Sequence, residues 1–289
     1  MTLDAGALNV AEVETDAAGP ALPPRHQRAS GAIRASFRRR GAETLVHRLF
    51  QDGSAKLRLP RMGPGDTQAV LINTAGGLTG GDGFANALAL DEGAALTVTT
   101  QACERIYRSN MGEAEVRTNL SLGAQARLDW LPQETILFDG GRLRRFLEAD
   151  LAPSSTLLAT EALVFGRQAR GEKIRAGLFR DRWRIRREGK LVFADDLSFE
   201  GDMAADLLAP ALLNGAGALA TVLLVAPDAE DQLAAVRERL GDLFGGASAW
   251  DGKLVARMTA PDGFALRRRL LPVLEALRHG RPIPKLWQL

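Results

Sequence analysis

Between residues 42 and 200 the chain is punctuated about every ten residues, where short apolar and β-branched runs end at Gly, Pro, Asp or Asn. The runs are Thr44–Phe50, Ala55–Leu59, Ala69–Ile72, Leu96–Thr100, Glu115–Leu122, Arg127–Leu131, Thr156–Phe165, Lys173–Ile185 and Leu191–Phe199. Segments of this length and composition are strands rather than helices. In "TNLSLGAQARLDWLP", Leu120, Leu122, Leu128 and Trp130 alternate with polar residues. A period of two gives each strand one buried face and one wet face. The expectation is a mainly β body whose short, similarly spaced strands can stack.

The rhythm changes after residue 200. Leu207, Leu208, Leu212 and Leu213 suggest a short helix ended by Asn214-Gly215. Ala220–Ala226 reads as a buried strand. Asp228 is expected to cap a helix with the stripe Leu233, Val236, Leu240 and Leu243. Ala247–Thr259 reads as one more strand. Asp262 then caps a last helix through Leu266, Leu270, Val273, Leu274 and Leu277, with a kink expected at Pro272. The reading is a β-rich body over 42–200, a smaller α/β end over 201–289, and a loose Ala-, Gly- and Pro-containing tail over 1–41.

Bulk properties narrow the classes of function. The 37 basic and 35 acidic residues give a formal charge of +2, which points to neither nucleic acid nor an anionic membrane surface. One cysteine, Cys103, rules out an internal disulfide and fits a reducing compartment. No apolar run approaches the roughly 20 residues that span a bilayer. The N-terminus lacks the basic and apolar regions of a secretory leader. A cytoplasmic protein is expected.

Candidate chemistry is sparse. The stretch "NTAGGLTGGDG", residues 73–83, has Gly76 and Gly81 at Walker-type spacing, but Asp82 occupies the lysine position and would repel phosphate. Tight turns are one reading. A backbone surface closely approached by a ligand or another chain, with Asp82 as its functional group, is the other. His26, His47 and His279 lie far apart, and no zinc-type spacing exists. Cys103 has no neighbouring histidine base and reads as a small apolar thiol. Glu134 and Asp139 in "DWLPQETILFDGGRL", and Glu161 and Glu172 in "TEALVFGRQARGEK", stand among strand-forming residues. They are either outward members of alternating strands or paired acids facing an interior. In "FRDRWRIRRE", Arg180, Arg182, Arg184 and Arg186 fall on one strand face, as a charged edge or as an interface strip.

Taken in order, "NTAGGLTGGD", "TTQACERIYRS", "WLPQETILFDGGRL", "FGRQARGE" and the terminal "IPKLWQL" make the chain resemble the urease accessory proteins of the UreD family, called UreH in some bacteria. The resemblance runs from about residue 42 to the end. It implies a β-helix-like stack of strands with two main helices and no enzymatic activity of its own. It also implies binding to UreF, to the GTPase UreG through UreF, and to urease apoprotein, in a dimeric assembly through UreF. The implied cargo is transient nickel, passed through an internal tunnel, with no tightly bound cofactor. Oxygen ligands hold nickel more loosely than thiolate or imidazole. By the resemblance, Asp82, Glu134, Asp139, Glu161 and Glu172 are expected on or near that route. A structural adaptor that bridges its partners without handling metal, and a small-molecule enzyme using an acid pair, are the competing expectations.

Overall fold

A computed structural model describes residues 28–61, 67–241 and 245–287. The strands in chain order are β1 (Ser30–Arg40), β2 (Glu43–Gly53), β3 (Ala55–Arg58), β4 (Gln68–Asn73), β5 (Gly83–Leu90), β6 (Ala95–Thr100), β7 (Glu104–Ile106), β8 (Ala114–Leu122) and β9 (Arg127–Leu131). They continue as β10 (Thr135–Leu137), β11 (Arg142–Leu151), β12 (Thr156–Phe165), β13 (Ala176–Arg187), β14 (Lys190–Asp202), β15 (Ala218–Val225), β16 (Gly245–Trp250) and β17 (Lys253–Ala260). The helices are α1 (Met203–Leu208), α2 (Leu233–Leu240) and α3 (Gly263–Leu277).

The strands wind as a coil. One sheet has the order β14-β13-β11-β8-β5-β1-β2, and the central pairs from β1 to β13 are parallel. The other runs β16-β17-β15-β12-β9-β6-β4-β3, with parallel pairs from β4 to β12. Short β7 and β10 pair with each other, and β10 with the end of β12, as a branch of the same ten-stranded sheet. The chain visits one sheet, then the other, and returns one layer further on. This is the expected stack of strands. Side-chain hydrogen bonds reveal its period: Asn73–Glu104, Cys103–Glu134, Arg108–Asp139 and Trp130–Glu161 each join residues 31 apart.

Two apolar cores result. One fills the space between the sheets and includes Phe37, Leu96, Leu128, Leu147, Phe179 and Trp183. The second lies between the outer face of the ten-stranded sheet and the helices α2 and α3, with Leu158, Val222, Val236, Leu270 and Leu274. A sheet covered on both faces carries continuous apolar strands rather than alternating ones, and β15 is buried at every position.

Several expectations need correction. Residues 30–40, read as tail, form β1 between β2 and β5; residues 1–27 lie outside the described set. β1 alternates buried Ile33, Ala35 and Phe37 with polar neighbours, a strand pattern that the arginines at its end obscure. β11 went unread because an arginine, Arg145, occupies one of its inward positions between Leu143 and Leu147. The stretch 247–259 is a hairpin, β16 and β17 joined at Asp251-Gly252, not one strand. Asp228 caps no helix; a short 3-10 turn at Glu230–Gln232 leads into α2. Asp262 does cap α3, accepting from the Ala265 N–H at 2.7 Å. Pro272 lies inside α3. Strands β15 to β17 extend the sheet of the β body.

Candidate functional site

β11 and β13 bring two charged side chains inward from the seven-stranded sheet, and β12 brings a third across from the other. Arg145 bridges Glu161 at 2.5 Å and Asp181 at 2.6 Å, and donates to Thr135 Oγ1 at 3.1 Å. The Trp130 indole N–H donates to Glu161 Oε1 at 3.1 Å. Burial pushes Glu161 upward; Arg145 opposes this and the second carboxylate, Asp181, adds to it, leaving Glu161 at about 7.

Beside this triad lies a cavity of about 330 Å³ between the sheets. Its polar lining includes Asn73, Asn86, Thr118, Glu104, Arg145 and Glu161, with the Cys103 thiol also in the wall, set among apolar residues such as Ile33, Leu71 and Phe84. Glu104 is half-buried there and burial lifts it to about 7, although the Asn73 amide donates to it at 3.1 Å. Glu104 stands in the motif "TTQACERIYRS" but was not singled out, because nothing local shows which way its carboxyl points. Only the 31-residue stacking sets it one coil above Asn73. Arg145 and Asp181 were missed for a related reason: charge at an inward strand position mimics a surface strand.

The five acids singled out from sequence are not brought together. Glu161 lines the cavity. Glu134 sits behind the wall, forked by Arg267 of α3 at 2.8 and 2.6 Å and accepting from Cys103 Sγ at 3.3 Å. Burial works against ionisation of Glu134, but Arg267 outweighs it and holds the carboxyl below its ordinary value. Burial and the Glu134 charge push the Cys103 thiol up to about 11, so it stays protonated at neutral pH. Asp82 is buried and accepts from the Ala29 and Thr79 N–H groups, both at 2.8 Å. It ties β1 to the glycine loop. That loop turns and packs closely, as expected: Gly77 has φ +148° beside Tyr107, and a Cβ on Gly80 would strike Ser109 and Met111.

Asp139 and Glu172 line a separate, open cleft of about 690 Å³ with Tyr107, Phe138, Arg108 and Arg175. Asp139 is bound by Arg108 at 2.7 Å and Arg175 at 2.8 Å. Burial disfavours its charge, but the Arg175 N–H and guanidinium outweigh this and lower its pKa. Arg167 lowers that of Glu172 by a two-point hydrogen bond, both contacts 3.0 Å. Among the described residues no three His, Cys, Asp or Glu side chains converge as a metal cage requires.

Arg180, Arg182, Arg184 and Arg186 alternate with buried Asp181, Trp183 and Ile185 along β13, so the shared outward face is real. Acids on β14 meet them: Glu200 pairs with Arg180, and Asp196 with Arg182 at 3.7 Å and Arg184 at 2.5 Å. His47 is exposed on β2 and His279 lies 3.8 Å from Asp228; His26 falls outside the described residues.

Over residues 29–288 the sequence matches the family model described as UreD urease accessory protein. The chain belongs to the UreD family. Its relatives in that family span nearly their whole length with it. It is 49% identical over 269 residues to the urease accessory protein UreD of Rhizobium leguminosarum bv. viciae, covering 93% of this chain and 98% of the relative. It is 48% identical over 267 residues to UreD of Agrobacterium fabrum, covering 92% and 94%. UreD of Mesorhizobium japonicum is 46% identical over 271 residues, covering 92% and 96%. The strand coil carries α2 and α3 against the ten-stranded sheet and α1 against β13 and β14, and the relatives are named accessory proteins rather than catalysts. No described helix is long and apolar enough to cross a membrane.

Proposed function

We propose that this chain serves urease maturation as a docking scaffold that also passes nickel. In this reading it binds UreF, reaches the GTPase UreG through UreF, and sits on urease apoprotein in a dimeric, cytoplasmic complex. Nickel crosses its interior on the way to the urease active site, and the chain catalyses no reaction of its own.

The observation that carries the passage reading is the cavity between the sheets, with Glu104 and Glu161 in its wall and Asn73, Asn86 and Thr118 beside them. Carboxylate, amide and hydroxyl oxygens hold a borderline cation such as nickel loosely. A conducting site must bind well enough to admit an ion and weakly enough to release it. Glu104 and Glu161 both titrate near 7, so proton exchange can accompany loading and release. Asp82 is not among the residues of that wall and, with its carboxylate oxygens on backbone N–H groups, supports the loop instead.

The test is a plugged interior. Asn86→Phe and Thr118→Phe, made singly, fill the cavity from β5 and β8. Each variant is expected to co-purify with UreF and urease yet fail to activate urease at limiting nickel. Full activation with partners bound would refute passage and leave an adaptor that bridges UreF to urease without touching metal.

A further inference from the structure

The open cleft around Asp139 has more charge than it can balance. Arg108 and Arg175 both donate to one oxygen, Asp139 Oδ2, at 2.7 and 2.8 Å. The other oxygen is taken by the backbone N–H groups of Arg175 at 2.8 Å and Ala176 at 3.3 Å. One buried carboxylate therefore pins two guanidiniums side by side, each through a single nitrogen. The remaining donors of both forks face solvent, the side chains being 61% and 76% exposed. Lys173 adds a further cation to the rim, and Glu172 is already matched by Arg167. Contrast the arginines of β13, which meet acids across the β14 strand.

The cleft is also built rather than incidental. The Arg108 carbonyl accepts from Thr79 Oγ1 at 2.9 Å, and the Arg108 stem lies over Gly140, where a Cβ would come 3.1 Å from its Cγ. Phe138 forms the floor, with Arg167 stacked 4.5 Å from its ring centre and Tyr107 edge-on at 5.2 Å. A guanidinium edge matches a carboxylate in plane, and two such edges stand on one Asp139 oxygen. Exposed ion pairs alone bind weakly in water, so a small free oxyanion would gain little here. An acidic side chain carried on a polypeptide adds apolar contact with the aromatic floor.

We propose that this cleft is a docking site for an acidic protein segment, one carboxylate clamped by Arg108 and Arg175 and an apolar neighbour packed on Phe138 and Tyr107. The inference rests on the reading that the chain works by docking other proteins, and not on nickel passage. The probe is a fluorescein-labelled synthetic peptide of Glu and Asp interspersed with Leu and Phe, titrated with the full chain by fluorescence anisotropy without nickel. Arg108→Lys with Arg175→Lys keeps the charge and removes the forks, so binding is expected to weaken about tenfold with an unchanged melting curve. Arg108→Gln with Arg175→Gln is expected to weaken it further. Arg180→Gln with Arg182→Gln, on the β13 face, should leave it unchanged. Inorganic phosphate should compete only at about a hundredfold excess over the peptide, as a ligand limited to weak exposed ion pairs.

The proposal is overturned by any of four results: no saturable binding, a lysine variant that binds like the natural chain, an equal loss in the β13 control, or phosphate competing at concentrations equal to the peptide. A chain that binds the peptide but fails to activate urease would refute the maturation reading alone. Normal activation by an Arg108→Lys/Arg175→Lys chain that has lost the peptide would detach the cleft from maturation.

Discussion

Replacing Arg145 by Met should destabilise the centre of the coil. The Arg145 side chain is 8% exposed, and its partners Glu161 and Asp181 are 6% and 7% exposed. The substitution keeps the apolar stem and removes the only guanidinium shown bridging the two acids. It leaves two carboxylates stranded among Leu143, Trp130 and Phe179, and Thr135 Oγ1 without that donor. Breaking a buried pair from one side costs about 3–5 kcal/mol. A domain of this size holds roughly 5–15 kcal/mol in total. At about 2–4 °C per kcal/mol, the melting temperature should fall by roughly 6–20 °C. The assay is urea unfolding followed by tryptophan fluorescence, comparing midpoints at an unchanged slope. The decisive comparison is Arg145→Met with Glu161→Gln and Asp181→Asn, which removes all three charges. That triple variant should regain most of the loss, because replacing a whole buried ion cluster is often close to neutral. If Arg145→Met cost under about 1 kcal/mol, or the triple variant were no more stable than the single, the triad would not be electrostatically closed.

Glu104 and Glu161 are both raised from 4.5 to about 7, so the folded chain holds protons that the unfolded chain releases across that interval. Their contribution is greatest at acid pH and is lost as pH rises from about 4.5 towards 7; Glu104→Gln should flatten the urea midpoint between about pH 5 and pH 8, and an unflattened profile would count against the burial of that acid. Gly77→Ala places a Cβ against the Tyr107 ring and 2.8 Å from the Arg105 carbonyl, whereas Gly76→Ala meets nothing within 4 Å. Both positions have positive φ, so each loses about 1–3 kcal/mol, but the first should melt at the lower temperature; equal melting would remove the contact argument. Arg180→Gln and Arg182→Gln break pairs with half-exposed acids on β14. Each should lower the unfolding free energy by under about 0.5 kcal/mol, as screened surface pairs do, and a larger loss would make the strip part of the fold rather than a free face.

The amino-acid order alone determined a good deal. Strand-length apolar runs with Gly- and Asn-bearing turns announce β6, β8, β9 and β12, because a residue's chance of lying in a strand depends on its near neighbours. The stripe Leu266, Leu270, Val273, Leu274 and Leu277, capped by Asp262, announces α3 for the same local reason. The ordered motifs carried the family. Tertiary structure decided the rest, since it concerns residues one coil or more apart. Whether an acid faces a cavity, a cleft or a capping N–H is invisible in a window of ten residues. Asp82 looked available, but its two oxygens are taken by the N–H groups of Thr79 and of Ala29, the latter 53 residues away in sequence. Glu104 looked incidental and stands in the cavity wall. Arg145 hid its own strand, because an inward charge is tolerable only where Glu161 and Asp181 arrive from other strands to meet it. Local propensity fixes where the chain bends and extends; which charges meet across a 31-residue coil is settled only when the layers close.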